Sequence, residues 1–284
     1  MATLEAILAE TPKQRRRRRL RKAGLNLLFA AAAYALIVLG ARLLHRRVLY
    51  QPPDDSKEDL PEGATLLTAR AADGVAVNAL DFANPKAVRT IVHFHGNAET
   101  APANAFLARE MKKRGFAVVL VEYRGYGRSR GISPDERGLY DDAAAVLDVL
   151  AARGVGPDRI VLWGQSLGTG VASEMALRGR GARLILVAPF TSTVAMARRI
   201  VPVLPASLVM VDRFDTLSKA PNIDAPTLVV HGDIDDVIPF DQGELVSRTL
   251  PHGTFLKVAE GRHDNLYKST TVLTALAAHA GANP

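Results

Sequence analysis

The stretch VLWGQSLGTGVA, Val161 to Ala172, places a serine between two glycines directly after an apolar run. The run predicts a strand that ends at Trp163, and the residues from Leu167 onward predict a helix. Ser166 would then lie on the tight turn between them, where flanking glycines leave room for the close backbone. The pattern G-x-S-x-G in this position predicts a nucleophile elbow, a turn that exposes the serine hydroxyl at the helix N-terminus. A plain glycine-rich turn is the alternative, and a phosphate loop is disfavoured because no G-K-[ST] follows.

Short apolar runs alternate with longer amphipathic ones along the rest of the chain. Predicted strands cover 75–82, 90–94, 117–123, 160–163, 184–188, 227–231 and 254–258. Predicted helices cover 104–114, 134–153, 167–177, 241–250 and 265–280. Because several strands are near-continuous Val, Ile and Leu runs, the pattern predicts one α/β domain over 64–284, with a mostly parallel sheet covered by helices on both faces. Residues 189–226 fall outside the alternation and predict a short cap-like segment at the carboxyl edge of the sheet.

The positive charge of the chain is concentrated at its N-terminus. The 284 residues carry a net charge of +7, but the first 50 hold 11 of the 36 Lys and Arg and only 2 of the 29 Asp and Glu. The remaining 25 basic and 27 acidic residues nearly cancel, which argues against a nucleic-acid partner. The chain has no cysteine, which excludes disulfides, thiolate metal sites and a cysteine nucleophile.

The N-terminal region divides into a basic segment over 1–22, an apolar segment over 23–44 and a polar linker over 45–63. Ala23 to Ala41 contains 19 residues without a charge, close to the ~20 that cross a hydrocarbon core. A single transmembrane helix is the first interpretation, and a cleaved signal peptide and a buried core helix are the alternatives. Eight Lys and Arg precede the span and three follow it closely. The positive-inside bias therefore predicts a cytoplasmic N-terminus, with the domain on the opposite side of the membrane.

A serine at an elbow needs a base to take its proton and an acid to orient that base, in the chain order Ser, Asp, His. His263 follows the last predicted strand, which makes it the best candidate base. Asp233, Asp235 and Asp236 follow the preceding strand, and spacing alone does not choose among them.

Backbone N–H groups that stabilise an oxyanion are expected beside the serine. Leu167, the residue after the serine, and Asn97, in the loop HGNAE after an early strand, are the candidate donors. His93 and His95 form an H-x-H pair that resembles a metal pair, but no third ligand has a natural place.

Six runs in order, HFHGNAE, EYRGYGRSRG, WGQSLGTGVA, APFTS, HGDIDDVIPF and GRHDNLY, resemble the α/β-hydrolase superfamily. More narrowly, they resemble membrane-anchored serine hydrolases that include the eukaryotic protein depalmitoylases and their bacterial relatives. The resemblance covers about residues 60–280 and implies that Asp235 is the acid. Glu122 stands where the family has Asp, and Asp264-Asn265 stands where the family has Asn-Asp. The depalmitoylases have a lipidated, cysteine-rich N-terminus that this chain lacks, so the resemblance does not imply a protein-thioester substrate.

Together these patterns predict a membrane-anchored serine hydrolase that cleaves carboxylic ester or thioester bonds through Ser166, His263 and Asp235. Leu167 and Asn97 N–H groups would hold the oxyanion, and no metal or cofactor is required. The expected partners are the membrane and an ester or thioester substrate, lipid-like or otherwise acylated, and no nucleic acid. A serine peptidase with the same triad and a catalytically silent membrane scaffold are the alternatives. A peptidase would need Glu122, Arg124 or an arginine of 189–226 to recognise a peptide amine or carboxylate.

Overall fold

The apolar run before Ser166 forms a fully buried strand, Ile160–Gln165, in the computed structural model, which describes residues 12–53 and 59–282. Ile160 and Leu162 pack into one apolar cluster, and Val161 and Trp163 pack into the opposite one. Because successive strand side chains point to opposite faces, the continuous apolar run reflects a sheet covered on both sides.

The sheet has eight strands in the order β1-β2-β4-β3-β5-β6-β7-β8. They are β1 (Thr65–Arg70), β2 (Ala76–Phe82), β3 (Thr90–Phe94), β4 (Ala117–Glu122), β5 (Ile160–Gln165), β6 (Arg183–Val187), β7 (Thr227–Gly232) and β8 (Gly253–Val258). The β1–β2 and β2–β4 pairs are antiparallel, and the other pairs are parallel. The predicted α/β architecture is confirmed. The prediction missed β1, an edge strand in which only Leu67 and Ala69 are buried.

Nine α-helices accompany the sheet in the described residues. They are α1 (Pro12–Leu49), α2 (Ala105–Lys113), α3 (Glu136–Ala152), α4 (Leu167–Leu177), α5 (Thr193–Ile200), α6 (Ala206–Val209), α7 (Thr216–Lys219), α8 (Phe240–Thr249) and α9 (Thr270–Gly281). Helices α3, α4 and α8 pack on one face of the sheet, and α2 and α9 pack on the other. Helix α9 begins at Thr270 instead of the predicted 265, because Ser269 accepts a hydrogen bond from the Val272 N–H and caps it there.

Helix α1 is the one described helix that is long and apolar enough to cross a membrane, and its apolar part is not buried. It continues to Leu49, so residues 45–49 of the predicted linker belong to the helix. Its last turns pack on the domain, with His45 buried and Tyr50 part of the core. Residues 1–11 of the predicted basic segment and 54–58 of the predicted linker lie outside the described residues.

The predicted cap-like segment 189–226 contains the short helices α5, α6 and α7, and α6 packs against α1. The segment follows β6, at the same carboxyl edge where the loops after β3, β5, β7 and β8 begin. This edge is where open α/β sheets bind their ligands. The four loops carry, in that order, Asn97, Ser166, Asp235 and His263.

Candidate active site

Ser166 lies on a strained turn between β5 and α4. Its backbone has φ 49° and ψ −119°, in the left-handed region that non-glycine residues rarely adopt. The Ser166 N–H donates to the Val187 carbonyl at 3.0 Å. A Cβ at Gly164 would collide with the Gly168 carbonyl, and one at Gly168 would collide with the Phe94 carbonyl. The two glycines thus let β5 turn directly into α4 with the serine at the helix N-terminus.

His263 connects Ser166 to Asp235. Its Nε2 lies 3.1 Å from Ser166 Oγ, and its Nδ1 lies 2.9 Å from Asp235 Oδ2. An ionised carboxylate only accepts hydrogen bonds, so Nδ1 carries the proton and Nε2 is left free to accept the serine hydroxyl. The structure therefore brings together the three predicted catalytic residues from the loops after β5, β7 and β8.

The three candidate aspartates have separate partners. Asp233 accepts the Glu260 N–H at 2.7 Å and so ties the loop after β7 to the loop after β8. Asp236 is exposed and lies 3.5 Å from Arg262. Only Asp235, of the three, contacts His263. The departure at Asp264-Asn265 has a local role, because Asn265 Oδ1 accepts the Arg262 N–H at 2.8 Å and shapes the turn that carries the histidine.

The carboxylate of Asp235 is buried and strongly hydrogen-bonded. Its Oδ1 accepts the N–H groups of Val237 and Ile238 at 2.9 and 2.8 Å. Burial alone would raise the pKa of Asp235, but the His263 hydrogen bond, the imidazole charge and these two N–H groups outweigh it and lower the pKa. The carboxylate is therefore ionised at neutral pH.

A second histidine, His231, lies next to the same carboxylate. His231 Nε2 lies 2.9 Å from the Ile238 carbonyl and 3.5 Å from Asp235 Oδ2. Burial lowers the pKa of His231 below its usual value, so the ring is neutral and donates to the carbonyl. Sequence reasoning assigned no role to this residue, although its place in the HGD run, two residues before Asp233, was available as a signal.

The loop after β3 contributes to the surroundings of the serine. Asn97 and Leu167 both line a cavity that contains Ser166. The Asn97 Oδ1 accepts hydrogen bonds from the Gln51 N–H and the Tyr126 hydroxyl, both at 2.9 Å. The Leu167 N–H belongs to the first turn of α4, where backbone donors have no partner within the helix. The two predicted oxyanion donors therefore lie beside the serine.

Glu99 holds this loop against the elbow, and sequence reasoning missed it. Its Oε2 accepts the Gly96 N–H at 3.2 Å, and its Oε1 accepts the Gln165 side-chain amide at 3.0 Å. One carboxylate thus joins the loop after β3 to the residue before Ser166. No local pattern in the sequence pairs two positions 66 residues apart.

The cavity beside Ser166 has a volume of about 680 Å³, within the ordinary range for small-molecule sites. Part of its lining comes from the C-terminal part of α1, from Ala41 to Leu49, and another part comes from the cap-like segment between Thr193 and Met210. Among the described residues that line it, none is Asp, Glu, Lys or Arg. Such a lining favours an apolar group over a charged one.

Two of the residues suggested for peptide recognition, Glu122 and Arg124, are engaged elsewhere. Arg124 is buried between Asp142 and Asp73, to which its guanidinium donates. Glu122 is buried and accepts the Ala101 N–H at 3.2 Å. Neither residue lines the cavity.

The H-x-H pair packs among aromatic rings. His93 lies edge-on to Trp163 with ring centroids 5.8 Å apart, and His95 lies 4.4 Å from Tyr123. Burial lowers the pKa of His93 to about 3 and that of His95 to about 4, so both rings are neutral. Within residues 12–53 and 59–282, no three His, Asp or Glu side chains are grouped to hold a metal ion.

Comparison with known proteins gives relatives in sequence and in structure. A family model described as "Serine aminopeptidase, S33" matches residues 85–215, a segment that ends before β7. The uncharacterized protein YfhR of Salmonella typhimurium is 29% identical over 268 residues, which cover 84% of this chain and 91% of YfhR. The uncharacterized protein Rv2307c of Mycobacterium tuberculosis is 31% identical over 221 residues, which cover 73% and 77% of the two chains. The esterase Pf2001 of Pyrococcus furiosus superposes with a TM-score of 0.65 at 16% identity, covering 80% of this chain and 97% of the esterase.

The solved structure, at 16% identity, establishes the α/β-hydrolase fold alone. The match to Rv2307c, at 31% identity over most of both chains, establishes common family membership. The narrower resemblance to the protein depalmitoylases stays a prediction. The chain therefore has the α/β-hydrolase fold and belongs to the protein family that includes Rv2307c, with similarity to the S33 serine aminopeptidase model over residues 85–215.

Proposed function

We propose that the protein is a membrane-anchored serine hydrolase that cleaves carboxylic esters or thioesters with an apolar acyl group. The observation that carries the proposal is the line of hydrogen bonds from Ser166 Oγ through His263 to Asp235, at the wall of an apolar cavity. Esterase Pf2001 shares the fold, which makes ester chemistry compatible with this scaffold.

In the first half of the reaction, Ser166 Oγ attacks the substrate carbonyl carbon while His263 Nε2 takes the hydroxyl proton. The oxyanion of the tetrahedral intermediate accepts hydrogen bonds from the N–H groups of Leu167 and Asn97. His263 then gives its proton to the departing alcohol or thiol, which leaves the acyl group on Ser166.

In the second half, His263 takes a proton from a water molecule, whose oxygen attacks the acyl carbon. The bond from the acyl carbon to Ser166 Oγ then breaks, His263 returns the proton to Ser166 Oγ, and the carboxylic acid leaves. Asp235 stays ionised throughout and stabilises the imidazolium that forms twice in the cycle. Its low pKa supports this role, because a carboxylate that resists protonation keeps the histidine in the useful tautomer.

The lining of the cavity favours an acyl group over a peptide N-terminus. An aminopeptidase must recognise an α-ammonium group, for which a carboxylate in the site is the natural partner. The described lining residues contain none, and Glu122 is committed to a backbone N–H. The description of the matching family model keeps a serine aminopeptidase as the second candidate. Faster release from aminoacyl amides than from matched aryl esters would favour it.

Helix α1 supports the membrane part of the proposal. Its apolar part is exposed, as a membrane helix requires and a core helix of a soluble domain does not. Its last turns form part of the cavity wall, so cleavage as a signal peptide would remove part of the site. The orientation, with the domain on the side opposite the cytoplasm, stays a prediction. It can be tested with a reporter that functions only in the cytoplasm, fused after Pro284, and activity of that reporter would contradict the predicted orientation.

The test is fluorophosphonate labelling of washed membranes that contain the wild type, Ser166→Ala or Ser218→Ala. Ser218 is exposed and does not line the cavity, so it serves as the matched control. We expect labelling of the wild type and the control, and none of Ser166→Ala. An ester series of increasing chain length on the same samples then measures the acyl preference. A folded wild type that does not label would refute the proposal and favour the silent scaffold.

A further inference from the structure

Residues 200–211, the sequence IVPVLPASLVMV, contain no charge and one hydroxyl. Arg198 and Arg199 precede this segment, and Asp212 and Arg213 follow it. Ile200 is 73% exposed, Val203 74% and Leu208 59%. A contiguous apolar patch of this kind on a monomer marks an interaction site. We call these twelve residues the cap tip.

The cap tip lies against the helix that is proposed to cross the membrane. The Tyr34 hydroxyl donates to the Val203 carbonyl at 2.7 Å, and the Arg42 guanidinium donates to the Leu208 carbonyl at 2.6 Å. Tyr34 and Arg42 are separated by about 12 Å along a helix with a rise of 1.5 Å per residue. Tyr34 falls in the middle of the predicted span 23–44. The cap tip therefore runs beside the C-terminal half of that span.

These two hydrogen bonds meet a requirement specific to lipid. A carbonyl outside regular structure finds no water to bond with inside a bilayer, and leaving it unpaired there is costly. Val203 lies outside the α-helices and Leu208 lies in the last turn of α6, so neither carbonyl has an ordinary α-helical partner. Helix α1 supplies a donor to each of them. The cap tip thus presents apolar side chains outward while α1 satisfies these backbone groups.

The opening of the cavity lies next to the exposed apolar surfaces of α1 and the cap tip. Leu44 and Val48 of α1 and Ile200 of the cap all line the cavity, and these three residues are 50%, 69% and 73% exposed. Residues that line a cavity and are also exposed form its rim. A rim of leucine, valine and isoleucine is continuous with the apolar surfaces of α1 and the cap tip.

We propose that the cap tip is immersed in the bilayer leaflet next to the hydrolase domain, and that the substrate is a lipid ester entering laterally from this leaflet. The acyl chain passes between α1 and the cap and brings its carbonyl to Ser166. Arg198 before the cap tip and Arg213 after it lie at the level of the lipid headgroups, where they meet anionic groups, whereas Arg199 pairs with Asp241. This inference rests on the proposed function, because α1 must be a membrane helix and Ser166 must react with esters.

Immersion is tested by fluorescence quenching, which the absence of cysteine makes direct. Val203→Cys and Val88→Cys each receive an environment-sensitive fluorophore, in full-length protein reconstituted into phosphatidylcholine vesicles. Val88 is 78% exposed in the loop before β3 and is the aqueous control. We expect doxyl-labelled lipid to quench the probe at 203 and iodide to quench the probe at 88. Equal quenching of both probes by iodide would overturn the proposal.

Lateral entry is tested with Val203→Glu and Val88→Glu, neither of which lines the cavity. A charge in the hydrocarbon region is strongly unfavourable, so we expect Val203→Glu to lower hydrolysis of a bilayer-embedded long-chain ester about tenfold. Hydrolysis of a short soluble ester and labelling by fluorophosphonate should stay at the wild-type level, which also shows that the variant folds. Unchanged hydrolysis of the embedded ester would refute lateral entry. Lipid quenching at 203 without any labelling of Ser166 would instead refute the proposed function and leave the immersion in place.

Discussion

Asp235→Asn changes one atom of a side chain whose two oxygens have different partners. Oδ1 accepts two backbone N–H groups at 2.9 and 2.8 Å, so the amide oxygen of the asparagine must stay in that position. The amide nitrogen then faces His263 Nδ1, 2.9 Å away in the wild type. Because the amide donates, Nδ1 has to accept, and the ring proton moves to Nε2. Ser166 Oγ would then face an N–H at 3.1 Å instead of a base.

A triad with the wrong tautomer loses about 10⁴ in kcat, which corresponds to about 5.4 kcal/mol at 1.36 kcal/mol per tenfold. We expect this loss for Asp235→Asn, with KM little changed because the cavity is untouched. The assay is hydrolysis of a p-nitrophenyl ester by the protein in detergent at pH 7. Asp236→Asn is the matched control, since Asp236 is exposed and pairs with the exposed Arg262 at 3.5 Å. Activity of Asp235→Asn within about tenfold of the wild type, or an equal loss in the control, would refute the assignment of the acid.

Three further substitutions test the site and the residues that pack around it. Gly168→Ala places a Cβ on the Phe94 carbonyl, so we expect an activity loss and about 3 kcal/mol lower stability in denaturant titration. Gly40→Ala, with no atom within 4 Å, should be neutral. Asn97→Ala removes the acceptor of two hydrogen bonds but keeps its backbone N–H, so kcat/KM should fall by less than the ~10²–10³ of a lost oxyanion donor. An unchanged kcat/KM would mean that the side chain does not position the loop. Burial lowers the pKa of His93 to about 3, so the unfolded chain binds a proton there at a higher pH than the folded protein does. The free energy of unfolding should therefore decrease as the pH falls from 6.5 toward that value. His93→Phe should flatten this loss in denaturant titrations between pH 7 and 4, and an unaltered pH dependence would contradict the burial argument.

The elements that were predictable are those with a local signal. Strand β5 is predictable from its continuous apolar run, which arises because both faces of the strand are buried. The elbow is recognisable because only glycine fits at 164 and 168, and His263 follows from the chemical need of a serine for a base. The choice of Asp235 required the family pattern, since the three aspartates differ only in their three-dimensional partners.

The features that were missed depend on contacts between distant segments. Edge strand β1 buries only two side chains and so carries a weak pattern. Glu99 accepts a hydrogen bond from Gln165, and His231 lies next to Asp235. Both contacts exist only once the sheet has folded. The docking of α1 on the cap was also unpredictable, because an apolar helix looks the same whether lipid or protein covers its last turns.

The attachment of α1 to the domain determines what happens when this helix is removed or exchanged. Tyr50 packs edge-on against Phe214 of the cap region, and the next residue, Gln51, binds Asn97 through its backbone N–H. A truncation that removes the apolar segment would therefore remove part of the lining of the cavity beside Ser166. Replacement of α1 by an unrelated membrane helix would keep the enzyme at the membrane but remodel that cavity. In this protein, exchanging the proposed anchor is expected to change which substrates are cleaved even though the location of the protein stays the same.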